Sequence, residues 1–215
     1  RSNTNVGHFS IGYQAGYSNT SGVKNTNLGY KAGYTNTVNG SRTIIGYEAG
    51  EFNVGVANTF VGESAGRGIS GSSTGLYNVS IGRESAYALT VGNFNVTIGA
   101  GSAYALANGN DNTIIGYEAG DNITSGSNNI VIGKGSDSSS ATVSNEITLG
   151  NASNNLLRIP GLGSTDGHVL QYSSSSGGIV LAAGGGGGAS SLNGLTDCLV
   201  DTNSLYVGEV PAGLS

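Results

Sequence analysis

Tyrosine is the residue type whose spacing in this chain most resembles a binding site. Two sets of tyrosines recur at fixed positions, the first directly after a glycine and the second four places further on. A column of stacked tyrosines presents apolar rings and polar hydroxyls together, and this combination suits contact with sugars. We assign the first set as candidate glycan-binding residues; the alternative is that both sets pack along the surface and shield its turns. The first set is Tyr13, Tyr30, Tyr47 and Tyr117, and the second is Tyr17, Tyr34, Tyr87 and Tyr104.

Three glutamates also share one position, two places after the same glycine: Glu48, Glu84 and Glu118. A glycosidase needs two carboxylates about 5 to 10 Å apart. If equivalent positions stack at about 4.8 Å per repeat, successive members of this set lie about 10 Å apart. Nothing in their surroundings predicts a raised pKa, so the glutamates are interpreted as a solvated face. We therefore predict that the chain is no enzyme, and we assign no catalytic residue.

Other chemistry finds little support in the sequence. His8 and His168 are remote from each other and show no metal-ligand spacing, and Cys198 is interpreted as a small buried hydrophobe. The sequence thus predicts neither a metal nor a cofactor. Only 10% of the residues are charged and the net charge is −5, which argues against a nucleic-acid partner. No apolar run approaches the roughly 18 residues of a membrane span, so no membrane insertion is expected.

The elements that must position these residues follow from a short repeat of nearly constant length. An aliphatic residue followed by glycine recurs nine times, and the spacings between successive glycines are 17, 17, 16, 20, 17, 17, 17 and 17. A unit of this size cannot enclose its own core and must stack on its neighbours. The fold class predicted is therefore all-β, a parallel β-roll or β-helix solenoid of about nine repeats. The glycines are Gly12, Gly29, Gly46, Gly62, Gly82, Gly99, Gly116, Gly133 and Gly150.

Within one unit, the aliphatic residue before the glycine and the residue two places earlier are rich in β-branched types. Their period of two predicts a short strand with one buried face. We expect Ile11, Leu28, Ile45 and Val61 to stack in one inward column. An asparagine four places before the glycine suits the corner that opens the strand, and stacked asparagines can form an amide ladder. A small residue three places after the glycine indicates a sharp turn or a closely approaching backbone. A second, weaker strand is expected in each unit.

The chain divides into four predicted segments. Residues 1–158 form the repeat β-roll, and residues 159–183 a short β-hairpin segment. Residues 184–190 are a glycine-rich linker, and residues 191–215 a connector that leads to a further β segment. The longest repeat carries an inserted loop at 67–77. Because the chain contains no Met, we expect a fragment, a processed product or the ordered part of something longer.

One repeat unit, Asn112 to Gly120, has the pattern Asn-Thr-x-Ile-Gly-Tyr-x-Ala-Gly. This pattern resembles the head repeats of trimeric autotransporter adhesins, and it is closest to the repeats in tail fibres and other appendage proteins of marine bacteriophages. The segments at 163–172 and 190–197 are similar to the connectors between repeat blocks in those fibres. The resemblance implies a left-handed β-roll, an intertwined homotrimer, and adhesion or virion attachment.

The residues themselves agree with a trimer, because a coil this short has a thin core and a shared interface would add burial. The function expected is a structural and adhesive virion fibre segment, a rigid trimeric spacer that supports host attachment. Its expected partners are other virion or fibre proteins and a host-surface glycan, and its expected location is the extracellular surface of the virion. The alternative is a bacterial trimeric adhesin head on the cell surface. From another class, a polysaccharide depolymerase or an ice-binding solenoid is the remaining alternative.

Overall fold

The computed structural model describes residues 7–154 in full and the backbone of four further strands. The chain forms two compact units, Arg1–Asn155 and Leu156–Ser215, which are described separately.

The first unit is a β-solenoid. Its nine strands form one sheet in sequence order, and all eight neighbouring pairs are parallel, with every residue paired to its equivalent in the next coil. The predicted fold class, an all-β solenoid with one repeat in each stacked coil, is confirmed. The strands are β1 (Phe9–Ile11), β2 (Thr26–Leu28), β3 (Thr43–Ile45), β4 (Thr59–Val61), β5 (Val79–Ile81), β6 (Val96–Ile98), β7 (Thr113–Ile115), β8 (Ile130–Ile132) and β9 (Ile147–Leu149).

Left-handed backbone at fixed positions bends each coil. In the coil of β7, the bends lie before the strand at Asp111 (φ 57°) and after it at Glu118 (φ 51°) and Gly120 (φ 57°). The glycine that ends the strand is required for a different reason: a Cβ on Gly116 would lie 2.4 Å from the carbonyl oxygen of Gly133 in the next coil. Within residues 7–154 each coil holds one three-residue strand. The second strand predicted for each unit is absent there; outside the nine strands, the described residues of this unit form one isolated parallel bridge, between Asn53 and Ser73.

The middle residue of each strand points into the coil, where Ile44, Phe60, Ile114 and Val131 are fully buried. The small-residue position is also interior. Ala119 and its equivalents at Ala32, Ala49 and Ala65 have no exposed surface, so this column lines the tight turn inside the coil. Its smallness therefore follows from the narrow interior of one chain, which is the first of the two explanations that the sequence allows.

The prediction that Ile11, Leu28, Ile45 and Val61 form an inward column is wrong. These side chains stack in one column, but they lie on the outside of the coil, and Ile11 is 52% and Leu28 is 39% exposed. Side chains alternate along a strand, so the two flanking residues cannot face the same way as the middle one. The interior of each coil is filled by the middle strand residue, the small residue, the asparagine and, in several coils, a further residue such as Leu89, Leu106 or Ile123, so the flanking pair stays outside.

The asparagine ladder that the sequence predicts is present. Asn78, Asn95 and Asn112 are at most 1% exposed. The Oδ1 of Asn78 accepts the backbone N–H of Asn95 at 2.9 Å, and the Oδ1 of Asn95 accepts that of Asn112 at 3.0 Å. Each side-chain amide also donates to the preceding asparagine. Because each asparagine lies just before a strand and bonds to the next coil, the ladder fixes both the start of the strand and the stacking of the coils.

The inserted loop is shorter than the predicted 67–77. The backbone N–H of Gly68 donates to the carbonyl of Tyr87 at 3.0 Å, and Ser73 forms a parallel bridge with Asn53. Both residues therefore belong to the regularly stacked surface of the coils, which we call the wall. Only residues 69–72 therefore leave the wall. Gly71 stands at the tip, where an added Cβ would meet no atom within 4 Å.

In the second unit the described backbone forms two antiparallel pairs. Strands β10 (His168–Ser173) and β11 (Gly178–Ala183) pair in the segment where the sequence predicts a hairpin. Strands β12 (Cys198–Asp201) and β13 (Ser204–Val207) pair within the predicted connector. The predicted glycine-rich linker at 184–190, and the side chains of His168 and Cys198, lie outside the described part of the chain.

Candidate functional site

Three of the four candidate tyrosines form one stack. Tyr13, Tyr30 and Tyr47 follow β1, β2 and β3, and their ring centroids are 5.4 and 5.0 Å apart with interplanar angles of 15° and 8°. All three are 37 to 66% exposed. The rings cover one another's faces, and their edges and hydroxyls are exposed to solvent. Because a sugar ring stacks on the face of an aromatic ring, most of this ladder is already occupied by its own neighbours.

Tyr117 lies apart from this ladder. The same position carries Glu63, Arg83 and Ala100 in the three intervening coils. On one side the ammonium of Lys134 lies 5.8 Å from the Tyr117 ring centroid. On the other side, the equivalent residue of the neighbouring coil is Ala100, whose side chain is a single methyl group. The structure therefore does not join the four predicted residues into one strip, and it leaves one ring face of Tyr117 uncovered.

The space over that face is a small cavity, which we call the β6 slot. Its volume is about 180 Å³, and it is lined by Arg83, Glu84, Ala100, Gly101, Tyr117 and Glu118, with Tyr104 and Asp121 at its side. The slot exists because the coil of β6 has Ala100 and Gly101 where the coils on either side have a long residue followed by glutamate. A search for residues that are present misses this feature; alignment of the repeats column by column reveals the two missing side chains.

The slot holds both hydrogen-bond donors and acceptors. Arg83 Nη1 donates to Glu84 Oε2 at 2.5 Å. The hydrogen bond and the charge of Glu118 raise the pKa of the Tyr117 hydroxyl. Burial, followed by repulsion from Asp137, raises the pKa of Asp121. Two carboxylates of the predicted glutamate column therefore flank the slot, each with a partner.

The third glutamate of that column, Glu48, belongs to a separate ion-pair cluster. Arg67 binds Glu48 at 3.2 Å and Glu51 at 2.8 Å, and Lys31 binds Glu51 at 3.1 Å. The Glu51 side chain is only 3% exposed, and Arg67 also lies over the ring of Phe52 at 4.8 Å. Two cations and two anions thus neutralise each other along the wall. This cluster ties coils together, and its side chains are at most 28% exposed.

The flanking residues of strands β1 to β9 form a continuous surface, which we call the aliphatic outer face. It carries no charged residue. Of its eighteen positions four are threonine and fourteen are apolar, and every side chain on it is exposed or half-buried. The apolar residues are Phe9, Ile11, Leu28, Ile45, Val61, Val79, Ile81, Val96, Ile98, Ile115, Ile130, Ile132, Ile147 and Leu149.

Among the described residues, no group of three or more histidines, cysteines, aspartates or glutamates is arranged to hold a metal ion. The described part of the chain also contains no helix of the length and hydropathy needed to cross a membrane. Comparison of the whole chain with protein families, with curated proteins and with solved structures gave no match.

Proposed function

We propose that this chain is a structural segment of a virion fibre, a tail fibre or appendage, which assembles as a homotrimer and acts as a rigid spacer in host attachment. The observation that carries this proposal is the aliphatic outer face. A chain with a continuous row of apolar side chains on the outside of its sheet needs a partner to cover them, and another copy presents the same matching surface.

The size of the face supports assembly. Eight strand spacings of about 4.8 Å give a length of about 38 Å, and three residues per strand give a width of about 10 Å, or about 400 Å² per chain. Contiguous apolar patches of a few hundred Å² are commonly interaction sites. Burying such area stabilises an assembly by about 25 cal/mol per Å². A closed symmetric oligomer covers the face in every copy at once.

The choice of three copies, and of a virion as the location, rests on the resemblance of the repeats to fibre and adhesin heads. The spacer role rests on the coil stacking, because a solenoid in which each coil bonds only to its neighbours is a stiff rod. Other fibre proteins are then expected at its two ends. Host attachment requires in addition a surface that contacts the host, such as a glycan-binding site on the wall.

Native mass spectrometry of the whole chain tests the assembly. The expected result is a complex of three chains that survives dilution to micromolar concentration, and a stable monomer would overturn the proposal. Antibodies raised against residues 7–154 test the location in electron micrographs. Labelling of fibres on virus particles is expected, whereas labelling of bacterial cell surfaces would favour the adhesin alternative.

A further inference from the structure

We propose that the β6 slot binds one sugar ring of a neutral glycan, with the ring taking the place of the side chain that this coil lacks. The site is formed within a single chain, so the proposal goes beyond the spacer role and does not depend on the number of chains in the assembly.

The height of the slot matches one ring. Arg83 and Tyr117 belong to coils two steps apart, which corresponds to about 10 Å. In the tyrosine ladder of the same chain each ring occupies one step, with centroids 5.0 to 5.4 Å apart. A single ring inserted between Arg83 and Tyr117 would therefore lie at ordinary stacking distance from both.

The groups around the slot suit a pyranose. Its C–H face would cover the open face of Tyr117, whose other face already lies against Lys134. Its hydroxyls would donate to the carboxylates of Glu84 and Glu118, and its oxygens would accept from the N–H groups of Arg83 that do not bind Glu84. Ligand sites of this kind combine an apolar wall with a few polar groups that fix orientation.

Volume and charge narrow the class of ligand. The slot, at about 180 Å³, is smaller than the roughly 300 to 1,000 Å³ of pockets that hold drug-sized molecules. It therefore accommodates one ring, with the rest of a glycan outside. Arg83 and Glu84 neutralise each other, and the remaining carboxylates of Glu118 and Asp121 disfavour sulfated or acidic sugars. A neutral sugar fits this balance.

The gap arises from the choice of residues and is not imposed by the backbone. Gly101 has φ 68°, and the equivalent Glu84 and Glu118 adopt the same left-handed conformation at 56° and 51°. A Cβ on Gly101 would meet only Glu118, at 3.3 Å from the Cγ of its flexible side chain and at an ordinary contact distance of 3.9 Å from its Cα. Larger residues therefore fit at this position, so the fold does not demand the open space.

Saturation-transfer NMR tests the site. The probes are the methyl glycosides of glucose, galactose, mannose and N-acetylglucosamine, each at tens of millimolar with the whole chain. At least one should bind the unmodified protein. Ala100→Tyr fills the slot with a residue that the ladder coils carry, and it should lower the affinity at least tenfold. Lys134→Tyr is the matched control, since it adds the same ring on the other face of Tyr117 and should leave binding intact.

Gly101→Glu is a second filling variant that copies the neighbouring coils, and it decides the question if Ala100→Tyr fails to fold as judged by circular dichroism. Three results would overturn the proposal. None of the four glycosides binds; or a folded filling variant binds as well as the unmodified protein; or Tyr30→Ala abolishes binding while the filling variants do not, which would place the sugar on the tyrosine ladder.

Discussion

The two sides of the same nine strands both carry apolar residues, but only the inner side buries them within the chain. The inner side, formed by the middle residues, is polar at Ser80 and Thr97 and apolar at Phe60 and Ile114. The outer side carries an aliphatic residue before every glycine that ends a strand. Soluble chains normally place such residues inside. Here the middle residue of each strand faces inward, so the residues on either side of it face outward along the whole length of the sheet.

Hydrogen bonds link the polar residues of the inner side. Ser85 Oγ lies 2.8 Å from Thr97 Oγ1 and 2.9 Å from Ser102 Oγ, and the asparagine ladder runs beside this cluster. The inside even contains Arg42, which is 1% exposed and donates to the carbonyl of Asn53 at 2.5 Å. Burial lowers the pKa of Arg42 to about 10, so the guanidinium remains charged at neutral pH. The interior thus combines these polar contacts with two apolar clusters, one around Ile44 and Phe60 and the other around Leu106 and Ile114, whereas the aliphatic outer face is left uncovered by the chain itself.

The largest effect is expected from two charged residues placed on the outer side of the sheet. Ile98→Glu combined with Ile115→Glu should convert the proposed trimer to monomers, because each carboxylate buried in the interface costs several kcal/mol. Native mass spectrometry measures the result, and circular dichroism should show an unchanged coil. Asn108→Glu combined with Ser125→Glu adds the same charges at exposed positions away from the face and should leave three chains together. A trimer in the first variant would contradict the proposed interface.

Large-to-small substitutions on the two sides of strand β4 compare how much each side contributes to the stability of a single chain. In the variant that carries Ile98→Glu and Ile115→Glu, Phe60→Ala should lower the free energy of unfolding by about 3 to 5 kcal/mol, because it empties a fully buried site. Val61→Ala, on the outer side, should lower it by less than about 1 kcal/mol. Urea unfolding measures both values. Equal losses would mean that both sides are buried in the monomer.

Much of the fold was predictable because its causes are local and repeated. The spacing of the glycines predicts the coil, and the β-branched residues before them predict the position of each strand. The asparagine position predicts the ladder, since asparagine suits both a strand-opening corner and an amide stack. What the sequence could not show is which side of the strand faces in. That depends on the bends at residues such as Phe94 (φ 58°) and Glu118 (φ 51°), whose types give no signal of a left-handed conformation.

The candidate site was predictable only in part. Tyr117 belongs to a visible pattern, but its role depends on its neighbours in the stacking direction, which lie one full repeat away on each side. The slot itself is made by Ala100 and Gly101, which attract no notice in a glycine-rich chain. Only the stacking of β5, β6 and β7 places Arg83 opposite Tyr117 across the gap. A motif search detects residues that are present, whereas this cavity is defined by side chains that are missing.

The hydrogen-bonded character of the inner side predicts the effect of removing one ladder amide. Asn112→Ala should lower the free energy of unfolding by about 1 to 3 kcal/mol, because it removes the partner of the Gly126 carbonyl and of the Asn129 backbone N–H inside the coil. Asn108→Ala, at an exposed position, is the control and should change stability by no more than about 0.5 kcal/mol. If the two variants show the same change in the free energy of unfolding, the hydrogen bonds of the ladder do not stabilise the interior.

The smallest effect is expected from deleting residues 69–72, which belong to neither side of the sheet. A Cβ on Gly68 would lie 2.7 Å from the Cβ of Ser73, so the chain can close across the deletion. The shortened coil would then have the same length as the coil between Gly46 and Gly62. Because loop closure depends weakly on length, the free energy of unfolding should change by less than about 1 kcal/mol.

Deletion of residues 86–89 is the matched control, since it removes four wall residues, among them the buried Ala86 and Leu89. It should prevent the coil from stacking, whereas the loop deletion should keep β4 and β5 paired in the present register. Thermal melting and native mass spectrometry distinguish the two outcomes. If the loop deletion leaves three chains together but abolishes attachment of the particle to its host, the loop is a receptor-binding element, and the passive-spacer interpretation of this wall is wrong.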